Sequence, residues 1–193
     1  MIDRIKNILV SPKTEWPTIE AENKPHLEVF TNYVLLLALI PAVATLIGQG
    51  VIGTSVFGIR VASFSLGLVS AITQFITMTA GIYLTAFIID LLADNFGAKK
   101  DFNRSFSLVA YAYTPMFIAG IFYIWPALSP LAMLASLYSL YLLYIGLQPM
   151  MKVPAEKQTV YFVVSLVVMG VVYGVLLAVL GVILAAIIIG SLR

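Results

Sequence analysis

Long runs of apolar residues alternate with short polar segments along this chain of 193 residues. Each run is close to or longer than the roughly 17–25 residues that an α-helix needs to cross a bilayer. Apolar runs of this length predict membrane-spanning helices rather than the helices of a soluble core. The five predicted spans are Phe30–Gly48, Ser65–Ile89, Phe106–Trp125, Leu131–Leu147 and Val160–Ile189.

The pattern therefore predicts an all-α polytopic membrane protein with two parts. Residues 1–29 form a cytoplasmic, amphipathic segment at the membrane interface, and residues 30–193 form a five-helix membrane domain. Composition agrees with this prediction, because 61% of the residues are hydrophobic and only 10% are charged. A soluble domain could not cover so much apolar surface.

The same composition excludes several classes of chemistry. The chain has no cysteine, which excludes disulfides and thiolate-ligated metals, and one histidine, His26, which excludes a multi-histidine metal site within one chain. The net charge of +2 is too small to indicate a nucleic-acid partner. No hydrolase motif is present, so the sequence predicts no catalytic residues, no cofactor and no enzymatic activity.

The distribution of Lys and Arg predicts the orientation in the membrane. Positive residues are retained preferentially on the cytoplasmic side of a membrane protein. Only Arg60 and Arg193 lie on the predicted outer side, so the N-terminus should be cytoplasmic and the C-terminus outside. The other nine lie in the N-terminal segment and in two connections: Arg4, Lys6, Lys13, Lys24, Lys99, Lys100, Arg104, Lys152 and Lys157.

The N-terminal segment contains two short helical patterns. Apolar residues over 2–9 recur at helical spacing, which is typical of an interfacial helix lying on anionic headgroups. A second helix is predicted to start near Pro12, since proline suits the first turn. Its Glu15 and Glu22 lie two turns apart on one face. We expect salt bridges from these acids to the basic loops, with a binding site as the alternative.

An acidic pair, Asp90 and Asp94, follows the second span. The 29 residues from Val61 to Ile89 would extend about 43 Å as a helix. The hydrocarbon core is only ~30 Å thick, which places Asp90 just outside it and Asp94 further out. We therefore expect both to belong to a charged rim shared with Lys152 and Lys157, with Asp90 the deeper candidate.

Polar residues within the spans are few. Gln74 lies near the middle of the second span and Thr114-Pro115 near the middle of the third. Pro115 has no N–H for the carbonyl of Tyr111, so a kink and a freed acceptor are expected. Tyr113 and Tyr111 flank this point, and tyrosines recur in the fourth span. We interpret that tyrosine stripe as core packing with an interface belt, and the lining of a polar cavity is the alternative. Its members are Tyr138, Tyr141 and Tyr144.

Two glycine motifs have different interpretations. Gly170 and Gly174 form a G-x-x-x-G pair in the fifth span, which allows helix backbones to approach closely. We expect this face to pack within one protomer, with a homodimer interface as the alternative. The stretch GQGVIG over residues 48–53 matches a dinucleotide-binding pattern, but it follows a membrane helix rather than a strand. It is predicted to be a flexible loop.

Three segments carry a family resemblance. They read PKTEWPTIEAE, FGAKKDFNRSFSLVAYAYTPMF and YLLYIGLQPMMKVPAEK, and together with the five spans they resemble the Yip1 family, in particular its bacterial inner-membrane branch. The resemblance implies an all-α membrane domain without established enzymatic activity and supplies no catalytic residues. Eukaryotic members are associated with vesicle transport and small GTPases, a role that bacteria cannot share.

Two functions are consistent with these observations. The first is a non-enzymatic scaffold or interaction protein of the inner membrane, acting through its cytoplasmic face on other membrane proteins or on a second copy of itself. The alternative is a permease or channel for small solutes or ions, with a polar path along the kinked third helix. In both cases the lipid bilayer is the predicted environment and nucleic acid is not a partner.

Overall fold

Five long helices follow two short N-terminal helices in the computed structural model, which describes residues 1–56 and 59–191. All five predicted spans are confirmed, since each long helix is apolar and long enough to cross a membrane. Arg193, one of the two positive residues on the predicted outer side, lies outside the described residues. The helices are α1 (Ile2–Val10), α2 (Pro12–Glu22), α3 (His26–Ile52), α4 (Phe64–Phe96), α5 (Phe102–Ile124), α6 (Ser129–Met151) and α7 (Ala155–Ser191).

A short β-hairpin joins α3 to α4 at one end of the bundle. Strand β1 (Thr54–Val56) pairs antiparallel with β2 (Ile59–Val61). The other end of the bundle contains the α4–α5 and α6–α7 connections, and we call it the basic end. This arrangement follows from the five-span topology, which returns the chain to the same end after every second helix.

Helix α3 begins at His26, four residues earlier than the predicted span. The His26 backbone N–H donates to Asn103 Oδ1 at 2.9 Å, and the His26 ring nitrogen Nδ1 lies 2.8 Å from the same oxygen. The His26 ring also packs edge-on against Phe102. These contacts fasten the start of α3 to the start of α5, so the boundary expected at residue 29 falls inside a helix.

The predicted kink in the third span is confirmed. Helix α5 is interrupted at Tyr113 and resumes over Thr114–Ala119. The carbonyl of Tyr111, which Pro115 cannot satisfy, accepts a hydrogen bond from Thr114 Oγ1 at 2.6 Å. A side chain thus replaces the missing backbone donor, as is required in a region without free water.

Glycines hold α3, α4 and α5 in close contact at the β-hairpin end. A Cβ on Gly67 would lie 2.5 Å from Gly50 Cα, which means that α3 and α4 touch through their backbones. A Cβ on Gly120 would lie 2.5 Å from the Cβ of Pro41, which places α5 equally close to α3. The expectation that GQGVIG is a flexible loop is wrong, because residues 48–52 form the last turn of α3.

Helices α1 and α2 form an N-terminal hairpin that inserts into the bundle. Tyr138 donates its hydroxyl to the Leu9 carbonyl at 2.7 Å, and Trp16 is only 1% exposed. Tyr138 precedes the end of α6 by 13 residues, which corresponds to ~20 Å of helix. The apolar side chain of Ile8 is fully buried by protein. The Ile8 side of α1 therefore packs against protein, and the interfacial location of this helix stays a prediction.

The docking of this hairpin depends on a glycine in α6. A Cβ on Gly146 would lie 2.6 Å from Leu108 Cδ1 and 2.7 Å from the indole ring of Trp16. Only a residue without a side chain leaves room for the tryptophan between α5 and α6. Trp16 therefore belongs to the core.

The G-x-x-x-G pair of α7 lies away from the other helices in the described part of the chain. A Cβ on Gly170 or on Gly174 would meet no atom of the described chain within 4 Å. The expectation of intramolecular packing is therefore wrong for these two residues. The inward side of α7 uses other groups, including Tyr173, which donates to the Gly81 carbonyl at 3.1 Å.

Candidate functional site

The two basic connections meet at the basic end and form one surface. The Lys99 backbone N–H donates to the Met151 carbonyl at 2.7 Å, which ties the α4–α5 connection to the end of α6. Gly97 adopts a positive φ of 68°, and a Cβ there would lie 3.9 Å from Lys157 Nζ. We call the resulting surface the basic face. It consists of the exposed side chains of Lys99, Lys100, Lys152 and Lys157.

Glu20 connects the N-terminal hairpin to this end. Its carboxylate accepts from Arg104 Nη1 at 2.6 Å and lies 3.1 Å from Lys152 Nζ. Hydrogen bonds from Lys152 and Arg104 hold the pKa of Glu20 below its ordinary value. The predicted tail-to-loop salt bridges thus exist, but Glu20 makes them rather than Glu15 or Glu22.

Arg4 is the partner of both acids predicted on α2. Its guanidinium donates to Glu15 at 2.5 Å and also pairs with Glu22. The guanidinium carbon lies 5.7 Å from the centre of the Tyr111 ring, within range of a cation–π contact. Glu15 is only 8% exposed, so its charge depends on this partner. The pairs cross from α1 to α2 and close the hairpin on itself.

A polar cleft lies between the hairpin, α3 and α5. Its volume is about 580 Å³, and at its inner end the rings of Tyr33 and Tyr111 are 4.7 Å apart. Tyr33 donates to Thr114 Oγ1 at 2.7 Å, because that hydroxyl already donates to Tyr111. Most of the lining is charged or polar: Asp3, Arg4, Asn7, Glu15, Thr18, Lys24, Glu28, Asn32, Tyr33 and Tyr111.

The cleft has the volume of a small-molecule site and a mainly polar lining. Its charged groups include both signs, and Arg4 and Glu15 already neutralise each other. Among residues 1–56 and 59–191, no group of three His, Asp or Glu side chains is placed to hold a metal ion. Two residues that were predicted as candidates, Glu15 and Tyr111, line the cleft. A third candidate, Thr114, is hydrogen-bonded to the Tyr111 carbonyl.

Asp90 and Asp94 lie apart from this cleft. Asp90 accepts a hydrogen bond from Ser105 Oγ at 3.3 Å, and this links α4 to α5. Asp94 is 69% exposed and lies 3.7 Å from Lys100. Asp90 is therefore less exposed than Asp94, and only Asp94 reaches the surface beside the basic face.

The remaining predicted residues have separate locations. Tyr144 pairs with the hydroxyl of Thr159 at 3.0 Å and so joins α6 to α7. Tyr141 is exposed and stacks on Tyr138, whose hydroxyl holds the N-terminal hairpin. The stripe makes packing contacts with neighbouring helices. Tyr113 lies half-buried at the break in α5, and Gln74 lines a second cavity in the other half of the bundle.

Four important residues were missed by the sequence interpretation: Arg4, Glu20, Tyr33 and Arg104. The three charged residues, Arg4, Glu20 and Arg104, could have been suspected from the sequence. An N-terminal segment that folds back onto basic loops needs acidic side chains opposite the basic ones. Their pairing could not be read from spacing, because Arg4 is 11 residues from Glu15 and Glu20 is 84 residues from Arg104. Tyr33 carried no signal, as one tyrosine in an apolar helix is ordinary.

Comparison with known proteins agrees with this architecture. The Yip1 domain model matches residues 6–178. The chain belongs to the Yip1 family. Its relatives include the inner membrane protein YohC of Escherichia coli strain K12, which is 30% identical over 118 residues, and YohC of strain CFT073 with the same identity. Each alignment covers 60% of this Yip1 protein and 60% of the relative.

No solved structure matches this Yip1 chain. Its five membrane-capable helices and its inner-membrane relatives agree with the predicted location, which is a multi-pass protein of the bacterial inner membrane. The family and the architecture are thereby fixed, while the role of the basic face and of the cleft rests on their geometry.

Acidification should loosen the N-terminal hairpin through Glu20. Because docking lowers the pKa of Glu20, its contribution is complete at neutral pH and is lost as pH falls through that lowered value. Glu20→Gln should weaken docking by about 1 kcal/mol at neutral pH and reduce the response to acid. In a Trp125→Phe background Trp16 is the only tryptophan, and acrylamide quenching of its fluorescence measures the docking.

Glu156→Gln is the matched control for this change. Glu156 is an exposed glutamate in the first turn of α7, and in the described structure it forms no ion pair with the hairpin. Its quenching curve should follow that of the parent protein at every pH. Identical quenching of the Glu20 and Glu156 variants would contradict the assigned role of Glu20.

Proposed function

We propose that this protein is a non-enzymatic interaction protein of the inner membrane that recruits acidic partners through its basic face. The main support is the convergence of four exposed lysines from two separate connections. The backbone contact between Lys99 and Met151 keeps the two connections together. A fixed cluster of like charges attracts an opposite charge over about 10 Å at 0.1 M ionic strength.

The charges of the basic face are only partly used within the chain. Lys152 shares Glu20 with Arg104, and Lys100 lies 3.7 Å from the exposed Asp94. In the described structure Lys99 and Lys157 have no acidic side chain within 4 Å. Exposed pairs of this kind contribute little to stability, so these lysines are free to serve recognition. The proposal includes a cytoplasmic location for this face, in keeping with the distribution of Lys and Arg.

A permease has less support from the described helices. Two polar cavities enter the bundle from opposite halves, which is the feature that a transport path would need. Between them α3 and α5 pack the buried apolar side chains of Leu37, Ala38 and Phe117. The close contact of Gly120 with Pro41 lies at the same level. The interaction role therefore accounts better for the arrangement.

Neutralising the basic face should abolish partner capture. The variant is Lys99→Gln/Lys100→Gln/Lys157→Gln, which leaves the contact between Lys152 and Glu20 intact. Cross-linking in native membranes, followed by affinity purification, should recover partners with the parent protein and lose them with this variant. Capture should also decrease with added salt, because exposed charges are screened.

The control is a variant of equal charge at another surface. Lys6→Gln/Lys13→Gln/Lys24→Gln removes three positive charges from the N-terminal segment and should keep the partners. The proposal is wrong if both triple variants capture the same proteins as the parent. It is equally wrong if the parent protein captures none that survive washing at low salt.

A further inference from the structure

A second cavity, of about 480 Å³, lies between α3, α4 and α5 near the β-hairpin end. We call it the glutamine cavity. Its volume falls in the range of small-molecule sites. Seven of its eight lining residues are polar and all are uncharged: Thr45, Gln49, Val69, Ser70, Thr73, Gln74, Thr77 and Tyr123.

None of these polar side chains has a hydrogen-bond partner within the described structure. Thr79 of the same helix α4, by contrast, donates its hydroxyl to the Phe75 carbonyl at 2.9 Å. In a bilayer an unsatisfied polar group costs several kcal/mol. Seven such groups around one space therefore favour a polar occupant over an apolar one.

The chemistry of the lining restricts that occupant to an uncharged group. An ion would lose its hydration here and find no opposite charge in return. Amides and hydroxyls each offer both donors and acceptors, which is the pattern that complements hydroxyl groups. Gln49 and Gln74 lie on facing helices, so a molecule with several hydroxyls could bind both at once.

The walls of the cavity are fixed and one side is open. The backbone contact of Gly50 with Gly67 sets the distance between α3 and α4 at the β-hairpin end. Val69, Thr73 and Thr77 are exposed on the outer surface of α4, a helix that is long and apolar enough to cross a membrane. A ligand can therefore enter sideways from the membrane as well as from the adjacent solution.

We propose that the glutamine cavity binds a neutral group carrying several hydroxyls, such as the glycerol head of a phospholipid or a free polyol. Its residues and location are separate from the basic face, so the inference does not depend on the proposed function. A lipid head and a free polyol share this chemistry, and the experiment distinguishes them.

Native mass spectrometry of the purified protein tests the lipid source. The probes are phosphatidylglycerol and phosphatidylmethanol, which carry the same single phosphodiester charge but differ in the hydroxyls of the head. We expect phosphatidylglycerol to bind more tightly by about tenfold, since one or two hydrogen bonds are worth about 1.4 kcal/mol. Gln74→Leu and Thr73→Val should remove that preference while remaining compatible with a lipid environment.

Thr79→Val is the matched control, because it removes a hydroxyl of the same helix that already has a backbone partner. Its preference for phosphatidylglycerol should equal that of the parent. Equilibrium dialysis with isotopically labelled glycerol tests the free polyol, and binding that Gln74→Leu abolishes would support the inference from that source. Both arms use the full chain in detergent, with size-exclusion chromatography to show that each variant is folded.

Three results would overturn the inference. Equal binding of the two lipids together with no binding of glycerol would mean that the cavity holds water only. A preference that persists in Gln74→Leu and Thr73→Val would place the lipid elsewhere on the protein. Dissociation of a dimer by Gln74→Leu, seen by chromatography with light scattering, would mean that a second copy of the chain covers these polar groups instead.

Discussion

Gly67→Leu is expected to prevent folding of the membrane domain. A Cβ at this position would lie 2.5 Å from Gly50 Cα and 2.6 Å from Gly50 N, and both are backbone atoms that cannot rotate away. Helices α3 and α4 would have to separate over the length of their contact. Overpacking of ordinary cores costs about 1–3 kcal/mol, and a collision between two backbones should exceed that range.

Thermal unfolding in detergent, followed by size-exclusion chromatography, measures this effect. Gly170→Leu on α7 is the control, because a Cβ at that position would meet no described atom within 4 Å. It should leave the Tm unchanged, whereas Gly67→Leu should give aggregated or degraded protein. Gly67→Ala should fall between the two. A Tm for Gly67→Leu equal to that of Gly170→Leu would contradict the backbone contact.

Arg4→Gln is expected to release the N-terminal hairpin from the bundle. The substitution leaves the carboxylate of Glu15, which is 8% exposed, without its partner. Removing one member of a buried pair costs about 3–5 kcal/mol, mainly because the other charge remains buried. Partial exposure of the Arg4 and Glu22 side chains places the expected loss near the lower end of that range.

A double-mutant cycle separates this effect from general damage. Arg4→Gln/Glu15→Gln should regain much of the loss, since the buried carboxylate at position 15 is then replaced by a neutral amide. Quenching of Trp16 in the Trp125→Phe background reports docking, with Lys6→Gln as the control on the exposed face of α1. Additive effects of the two single variants would show that Arg4 and Glu15 do not act as a pair.

The sequence alone determined the spans, the kink and the charged end. Five apolar runs can be satisfied only by helices that cross the bilayer, because exposed backbone groups have no partners in lipid. The break in α5 follows from Pro115, which lacks an N–H wherever the helix packs. The basic end follows from the positions of the lysines along a chain that reverses direction at each span.

Only the tertiary structure decided which polar groups meet. The sequence predicted salt bridges from Glu15 and Glu22 to the basic loops, but both acids pair with Arg4. Glu20 instead pairs with Arg104 and Lys152. The choice depends on how deeply the hairpin inserts. That depth is set by the space Gly146 leaves for Trp16 and by the bond of Tyr138 to Leu9.

The glycines show most clearly the difference between what the sequence determines and what the tertiary structure decides. Gly170 and Gly174 have the spacing of a helix-packing motif, but they face away from the described protomer. Gly50 and Gly67 lie in separate helices and form no motif, but their backbones are in contact. Spacing records which residues share a face of one helix. Whether that face meets another helix is decided by the packing of the whole bundle, which local sequence does not encode.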